Sequence, residues 1–489
     1  MEVTRTNVSV AREARRVSTG DAGLDRILSG GIFRGAVTII QGPPGSGKTT
    51  LANQLAFENS RRGGCTVYIT LLAESHGRLT ASLGDMAFYA DTEVGQTVHY
   101  VSGYNVMLDE GPRGLLRLLG SEARAREANV VVLDGLFVLG ESIASEGDFR
   151  KFVNDLALQA ELMGATVLLL TNAQRCPGSP EFTMVDGWIE VGRQSGSSRT
   201  ARFVEVHKLR GSDFLAGRHR FRISSLGARA LPRLESYLGL VPRPPGRGER
   251  VSTGVCELDA MLHGGLPMYS TTLVWGATGT GKTTLGMHFL SKCTTNEPGL
   301  AVSFYETPDA FLADARERGI DLAPLVESGA LHILWQPPVE QHMDEIAYAL
   351  LDHVRKHGTR RVFLDGMDGF ATVSMEPERL SRFLTALTNE LRTAGCTSMY
   401  VAEVATVFST EPDLIPGNRS SVGENILLLR YVQAGDRLRR TLAVLKVRGS
   451  DFDHTSREFR LGEGGIQVDG PLDPRPPVPS AAPARDHVG

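Results

Sequence analysis

Two octets in this 489-residue chain carry the residue types needed to hold a polyphosphate: Gly42-Pro-Pro-Gly-Ser-Gly-Lys48-Thr49 and Gly276-Ala-Thr-Gly-Thr-Gly-Lys282-Thr283. Each fits G-x-x-x-x-G-K-[ST], whose glycines let successive backbone N–H groups curl around a phosphate while the lysine reaches the outer phosphates. The hydroxyl after the lysine suits a Mg²⁺ ion, and a helix starting there turns its positive end toward the anion. The candidate nucleotide-binding residues are Gly42, Gly45, Ser46, Gly47, Lys48, Thr49 and Thr50 in the first octet's neighbourhood. In the second they are Gly276, Thr278, Gly279, Thr280, Gly281, Lys282, Thr283 and Thr284. ATP with Mg²⁺ is the ligand pair that this chemistry calls for, at two sites.

Such loops need a strand to enter them and a helix to leave. Val37–Ile40 and Thr271–Trp275 read as buried strands, and Thr49–Ser60 and Thr283–Lys292 as the helices that follow. Val67–Thr70 and Ala301–Tyr305 read as second strands. Asn129–Asp134 and Arg360–Asp365 are apolar runs ending in aspartate, the Walker B arrangement, so Asp134 and Asp365 join Thr49 and Thr283 as metal candidates. Thr166–Thr171 and Ser398–Val401 add core strands. Strands alternating with helices predict an α/β fold, a parallel doubly wound sheet in each copy. Arg202–Arg222 and Arg439–Arg460 read as β-hairpins whose turns carry Arg-Gly-Ser-Asp.

The copying extends beyond the octets. Ser18-Thr19-Gly20 recurs as Ser252-Thr253-Gly254, Leu24-Asp25 as Leu258-Asp259, and Gly30-Gly31 as Gly264-Gly265, each at the spacing of the two lysines (282 − 48 = 234). Lys208-Leu-Arg210-Gly-Ser212 returns as Lys446-Val-Arg448-Gly-Ser450. This is a tandem duplication of one domain. The expected organisation is a first domain over 1–240, a Pro/Gly-rich linker over 241–250, a second domain over 251–468 and a Pro-rich tail without a core over 469–489.

Lysine occurs only seven times against 45 arginines, and four of the seven are Lys48, Lys208, Lys282 and Lys446, all inside the duplicated motifs. These positions call for a compact ammonium rather than a planar fork. The net charge of −4 offers no global attraction to nucleic acid or anionic membrane. The five cysteines (65, 176, 256, 293, 396) contain no C-x-x-C pair, which argues against a disulfide framework or zinc site of that type. No signal peptide and no apolar run of membrane-spanning length is evident, so a cytoplasmic protein is expected.

Twin Walker motifs, the opening signatures Val17-Ser-Thr-Gly and Val251-Ser-Thr-Gly, and twin Lys-x-Arg-Gly-Ser motifs, in that order, resemble the KaiC family of double-domain, RecA-type ATPases over residues 15–468. The resemblance implies a two-tiered homo-hexamer with ATP at the seams, where Lys208 and Arg210, or Lys446 and Arg448, reach the γ-phosphate held by the neighbouring subunit. It implies Glu74 and Glu306 as general bases or as groups that orient the nucleophile; the family has a Glu-Glu pair there, and each copy here keeps one carboxylate. The Walker B strands end Asp-Gly rather than the family's Asp-Ser, which puts full turnover in question. Counting back from Ile426–Val432 places the family's autophosphorylated pair on Ser420 and Ser421, with Pro416 a departure; the first copy has no matching hydroxyl pair. Three functions remain open on the sequence: a signalling ATPase with serine/threonine autokinase activity, a RecA-type DNA-dependent ATPase, and a nucleotide-dependent scaffold. Against the second, there is no lysine-rich stripe or aromatic series for base stacking. Regulatory partners such as a sensor kinase fit the first.

Overall fold

The computed structural model describes residues 15–72, 76–142, 146–172, 180–195, 199–237, 248–403, 422–434 and 437–471. Glu74, Ser420 and Ser421 lie outside the described residues. The chain divides into two compact units, residues 1–236 and 237–489.

In the first unit the strands are β1 (Arg16–Val17), β2 (Ile32–Phe33), β3 (Val37–Gln41), β4 (Thr66–Thr70), β5 (Val98–Ser102), β6 (Val130–Asp134), β7 (Thr166–Thr171), β8 (Gly187–Ser195), β9 (Thr200–Leu209), β10 (His219–Ser224) and β11 (Gly227–Leu231). Nine of them form one sheet in the order β5-β4-β6-β7-β3-β8-β9-β10-β11. The strands from β5 to β8 are parallel, and the last three are joined antiparallel.

The second unit repeats this plan with β12 (Arg250–Val251), β13 (Leu266–Pro267), β14 (Thr271–Gly276), β15 (Gly299–Ser303), β16 (Leu331–Trp335), β17 (Arg361–Asp365), β18 (Thr397–Glu403), β19 (Asn425–Ala434), β20 (Arg437–Val447), β21 (Arg457–Gly462) and β22 (Gly465–Pro471). Its sheet order, β16-β15-β17-β18-β14-β19-β20-β21-β22, matches the first strand for strand. These are tandem RecA-like α/β domains. The hairpins expected at the end of each copy exist, and they extend the main sheet rather than standing apart from it.

Strands β3, β6 and β7 are buried at every residue, as expected when helices cover both faces of a parallel sheet. Alternation sorts their side chains. Ile40, Val132 and Leu170 face the core shared with Leu51, Leu55 and Phe57 of the helix Lys48–Arg61. Ile39, Val131 and Leu169 face the helices Tyr104–Ala125 and Glu146–Met163.

The opening signatures prove to be architectural. Asp25 accepts from Ser18 Oγ at 2.6 Å and from the Thr19 amide at 2.8 Å; Asp259 does the same for Ser252 (2.5 Å) and Thr253 (2.7 Å). Arg16 donates to the carbonyls of Leu28 and Gly31 at 2.8 and 2.7 Å and to Ser212 Oγ at 2.6 Å. Arg250 repeats this with Leu262, Gly265 and Ser450. The serine of Lys-x-Arg-Gly-Ser is therefore a latch holding the start of each unit. Gly31 is required here, since at its φ of +107° a Cβ would stand 2.4 Å from the Val17 carbonyl oxygen. In the first unit the ends also meet, because Asp21 Oδ2 accepts from the amides of both Leu24 and Ala230 at 2.8 Å.

Candidate nucleotide sites

Each phosphate loop sits between a parallel strand and the helix beginning at its lysine, Lys48–Arg61 or Lys282–Leu290, both slightly earlier than the sequence suggested. The helices are preceded by Gly47 and Gly281 in the left-handed region, at φ 110° and 99°. This conformation turns the first amides of the helix outward, toward an anion. Gly42 leaves no room for a side chain either, since a Cβ would meet the Val191 carbonyl oxygen at 2.0 Å.

The lysines fold back over their loops. Lys48 Nζ donates to Gly42 O and Pro43 O at 2.7 and 3.1 Å, and Lys282 Nζ to Gly276 O and Ala277 O at 2.9 and 2.8 Å. Burial lowers the pKa of both ammonium groups; the Asp134 carboxylate opposes the shift in the first, and Glu403, Asp365 and Asp368 oppose it in the second. Thr49 Oγ1 donates to Asp134 at 3.1 Å, and Thr283 Oγ1 lies 3.2 and 3.3 Å from the two oxygens of Asp365. A hydroxyl beside a strand-end carboxylate is an all-oxygen donor set, which fits Mg²⁺. The amide cradle and the ammonium fit the phosphates.

The second site opens into a cleft of about 650 Å³ lined by Thr278, Lys282, Thr283, Glu306, Asp365 and Glu403, among others. Burial and then the Glu306 charge push the Asp365 carboxyl up to about 6. Glu306 is itself raised, first by burial and then by Asp314, and its Oε2 is buried without a hydrogen-bond partner. An unpartnered, weakly acidic carboxylate in the cleft is chemically suited to accept a proton.

The structure also brings in residues that the sequence reading missed. Glu403, at the end of β18, accepts from Thr278 Oγ1 at 3.1 Å and lies 3.9 Å from Lys282 Nζ. Arg193 donates to Gly45 O at 2.7 Å, and Tyr431 and Arg440 donate to the equivalent Gly279 O at 2.7 and 3.2 Å. Tyr68, fully buried, donates to Asp134 Oδ2 at 2.7 Å, and burial, then the Asp134 charge, raises its phenol well above the usual range. At the same register the second unit has Ala301. Only Tyr68 and Tyr431 carried any signal, as polar-tipped aromatics in otherwise apolar strands.

The Lys-x-Arg residues stand elsewhere. Arg210 N donates to Asp186 O and Asp186 N to Val37 O, so Arg210 is level with Val37, five strand residues (42 − 37) before the loop at Gly42. In the second unit Arg448 follows Glu424 to Thr271, again five residues (276 − 271) before the loop at Gly276. At roughly 3.3 Å per residue this is about 16 Å. Arg210 pairs with Asp186 at 3.3 Å, and Arg448 lies 3.8 Å from Glu424. Lys208 donates to Phe182 O and Thr183 O at 3.3 and 2.8 Å, Lys446 to Gly423 O at 3.0 Å. A β-bulge falls just before each lysine, between Trp188 and Ile189 and between Ile426 and Leu427 on the facing strands. The second motif borders a hollow of about 570 Å³ with Arg250, Arg392 and Glu424.

A family model for the KaiC ATPase matches residues 17–235 and again 251–473. Among similar proteins, the circadian clock protein KaiC3 of Synechocystis sp. is 26% identical over 94% of this chain and 92% of its own length. The circadian clock oscillator protein KaiC of Picosynechococcus sp. is 23% identical over 95% and 92%, and that of Thermostichus vulcanus 24% over 93% and 89%. With two matching units, each holding a Walker lysine, threonine and aspartate around a cradle of amides, the chain belongs to the KaiC family of ATPases.

Proposed function

We propose that this protein is an ATP-hydrolysing signalling switch, assembled as a homo-hexameric ring whose nucleotide sites are completed between neighbouring copies, and that its second unit also phosphorylates itself on Ser420 or Ser421. The observation that carries this reading is the separation, along the strands, of about 16 Å between Arg210 or Arg448 and its own phosphate loop, with Lys208 and Lys446 level with Ile39 and Leu273, about 10 Å short of it. The arginines stand too far along the sheet to serve the loop of their own unit, and the lysines are held by the carbonyls of Thr183 and Gly423. Set against another copy, Lys208 and Arg210, or Lys446 and Arg448, supply the positive charge that a transferring phosphoryl group requires.

Within a unit, the loop amides and Lys282 would hold the β- and γ-phosphates, and Thr283 and Asp365 would hold Mg²⁺, which when bound would supply charge neutralisation on the phosphate oxygens. Glu306 takes the proton of the nucleophile. In hydrolysis that nucleophile is water, and in autophosphorylation a serine hydroxyl; the bond from the γ-phosphorus to the bridging oxygen breaks, and ADP leaves with its electron pair. Glu74 has the corresponding role in the first unit. The names of the relatives, clock proteins all, fit a role in timing or signalling through regulatory partners.

The test is phosphate incorporation from γ-labelled ATP with Mg²⁺. Label in the wild type that disappears in Lys282→Ala and in Ser420→Ala/Ser421→Ala locates the autokinase; free phosphate without label leaves an ATPase alone. Arg448→Ala is expected to lower second-unit turnover by on the order of 10³-fold or more while leaving ATP bound. Unchanged turnover would remove the inter-subunit reading.

A further inference from the structure

Three imidazoles meet at the open edge of the second unit's sheet. His332 lies on β16, the edge strand, and His353 and His357 lie one turn apart on the helix Met343–His357. Residues four apart share a helix face, so both helical rings turn toward the strand. The ring centroids are 4.9 Å (His332–His353), 4.1 Å (His332–His357) and 4.3 Å (His353–His357) apart. One nitrogen from each ring lies within 4.8 Å of the other two. His353 Nε2 is buried and has no hydrogen-bond partner.

The first unit shows what these positions hold when only packing is at stake. His332 pairs with Leu300 as His99 pairs with Val67, so His99 occupies the same place on its edge strand. The two helices end alike: Glu127 and Gly358 both adopt left-handed φ, and Ala128 N→Ala123 O corresponds to Thr359 N→Val354 O. On that alignment His353 and His357 correspond to Glu122 and Arg126, which form an ion pair. Where the first unit has a self-satisfied pair, the second has two bases that leave a buried nitrogen unpartnered.

We propose that His332, His353 and His357 form a binding site for a divalent ion of the Zn²⁺ class, with a fourth position left to water or an outside ligand. Three imidazole nitrogens are the donor set of such ions and not of Mg²⁺, which separates this site from the carboxylate and hydroxyl at the nucleotide cleft. Nitrogens around a four-coordinate zinc stand about 3.4 Å apart, a closure that ring rotation supplies. Burial, then the neighbouring His357 and His332, lowers His353 to about 4, so its lone pair is free at neutral pH. Lys356 is the adjacent cation and also depresses His353 and His332. A bound ion would clamp the edge strand to the helix.

The experiment is a Co²⁺ titration of the full, chelator-treated, nucleotide-free chain, read by visible absorption and by unfolding temperature. The wild type should bind one Co²⁺ with the intense bands of four-coordinate cobalt, displaced by Zn²⁺, and Zn²⁺ should raise its unfolding temperature. His353→Glu/His357→Arg installs the pair that the first unit already carries there. It should bind at least on the order of tenfold more weakly and lose both signals. His332→Asn, which leaves the helix untouched, should do the same. His207→Gln, in the Glu190, Glu205, His207 group of the first unit, should keep them. Equal Co²⁺ binding by wild type and His332→Asn, or only the weak bands of six-coordinate cobalt in the wild type, would overturn the proposal.

Discussion

A buried phenol hydroxyl sets one Walker aspartate apart from the other. Tyr68 gives Asp134 a buried donor that Ala301 cannot give Asp365. Tyr68→Phe removes a hydrogen bond to a charged group, with an expected cost of about 1.5–3 kcal/mol in the first unit's denaturant unfolding. An unchanged midpoint would mean that the carboxylate finds another donor. His288 offers a pH-dependent counterpart in the second unit. Its Nε2 accepts from Ile466 N at 2.9 Å, and burial, then Lys292, lowers its pKa below 6.5. The folded protein keeps this ring neutral, so its contribution is complete above about pH 6.5 and declines as pH falls through the lowered folded pKa. His288→Gln should flatten the loss of second-unit stability on going from pH 7 to 5; an identical pH profile would assign that loss to other groups. The glycines, lysines and threonines of both loops were legible in the sequence because backbone geometry fixes their spacing, and the aspartates because each ends an apolar run. Glu403 and Arg440 were not, since each arrives from a separate strand and reads locally as surface.

At the level of elements, repeated sequence marked repeated structure but not its purpose. The opening signatures marked the duplication; their serines are held by Asp25 and Asp259, and the arginines just before them bind the beginning of each unit to its hairpin turn through Arg16–Ser212 and Arg250–Ser450. Arg250→Ala leaves two backbone carbonyls and a serine without their donor, and should destabilise the second unit by about 2–3 kcal/mol. Nucleotide affinity, measured well below the unfolding transition, should change little; a large loss of affinity would show that the latch also shapes the loop. The strands of the parallel core were readable from apolar runs such as Val131–Leu133. The sheet's continuation into β11 and β22 was not, because short strands with mixed faces resemble any surface hairpin. The bulges before Lys208 and Lys446 were equally hidden: a one-residue slip in pairing leaves no local signature.

For the whole molecule, the proposed completion of sites between copies would make activity a property of neighbours. In an equal mixture of Lys282→Ala and Arg448→Ala chains, each inactive alone in the second unit, about one quarter of the seams in a randomly exchanged ring join an intact loop to an intact arginine. Second-unit turnover should recover to about that fraction, and no recovery after verified exchange would argue for sites completed within one copy. No helix among the described residues is long and apolar enough to cross a membrane. The meeting of Asp21 with Ala230 has a different consequence. A module whose opening and closing segments already touch has no preferred place to begin, so the first unit should accept circular permutation. Its original ends could be joined by a short bridge and new ones opened in a surface turn, with the phosphate cradle left as it was.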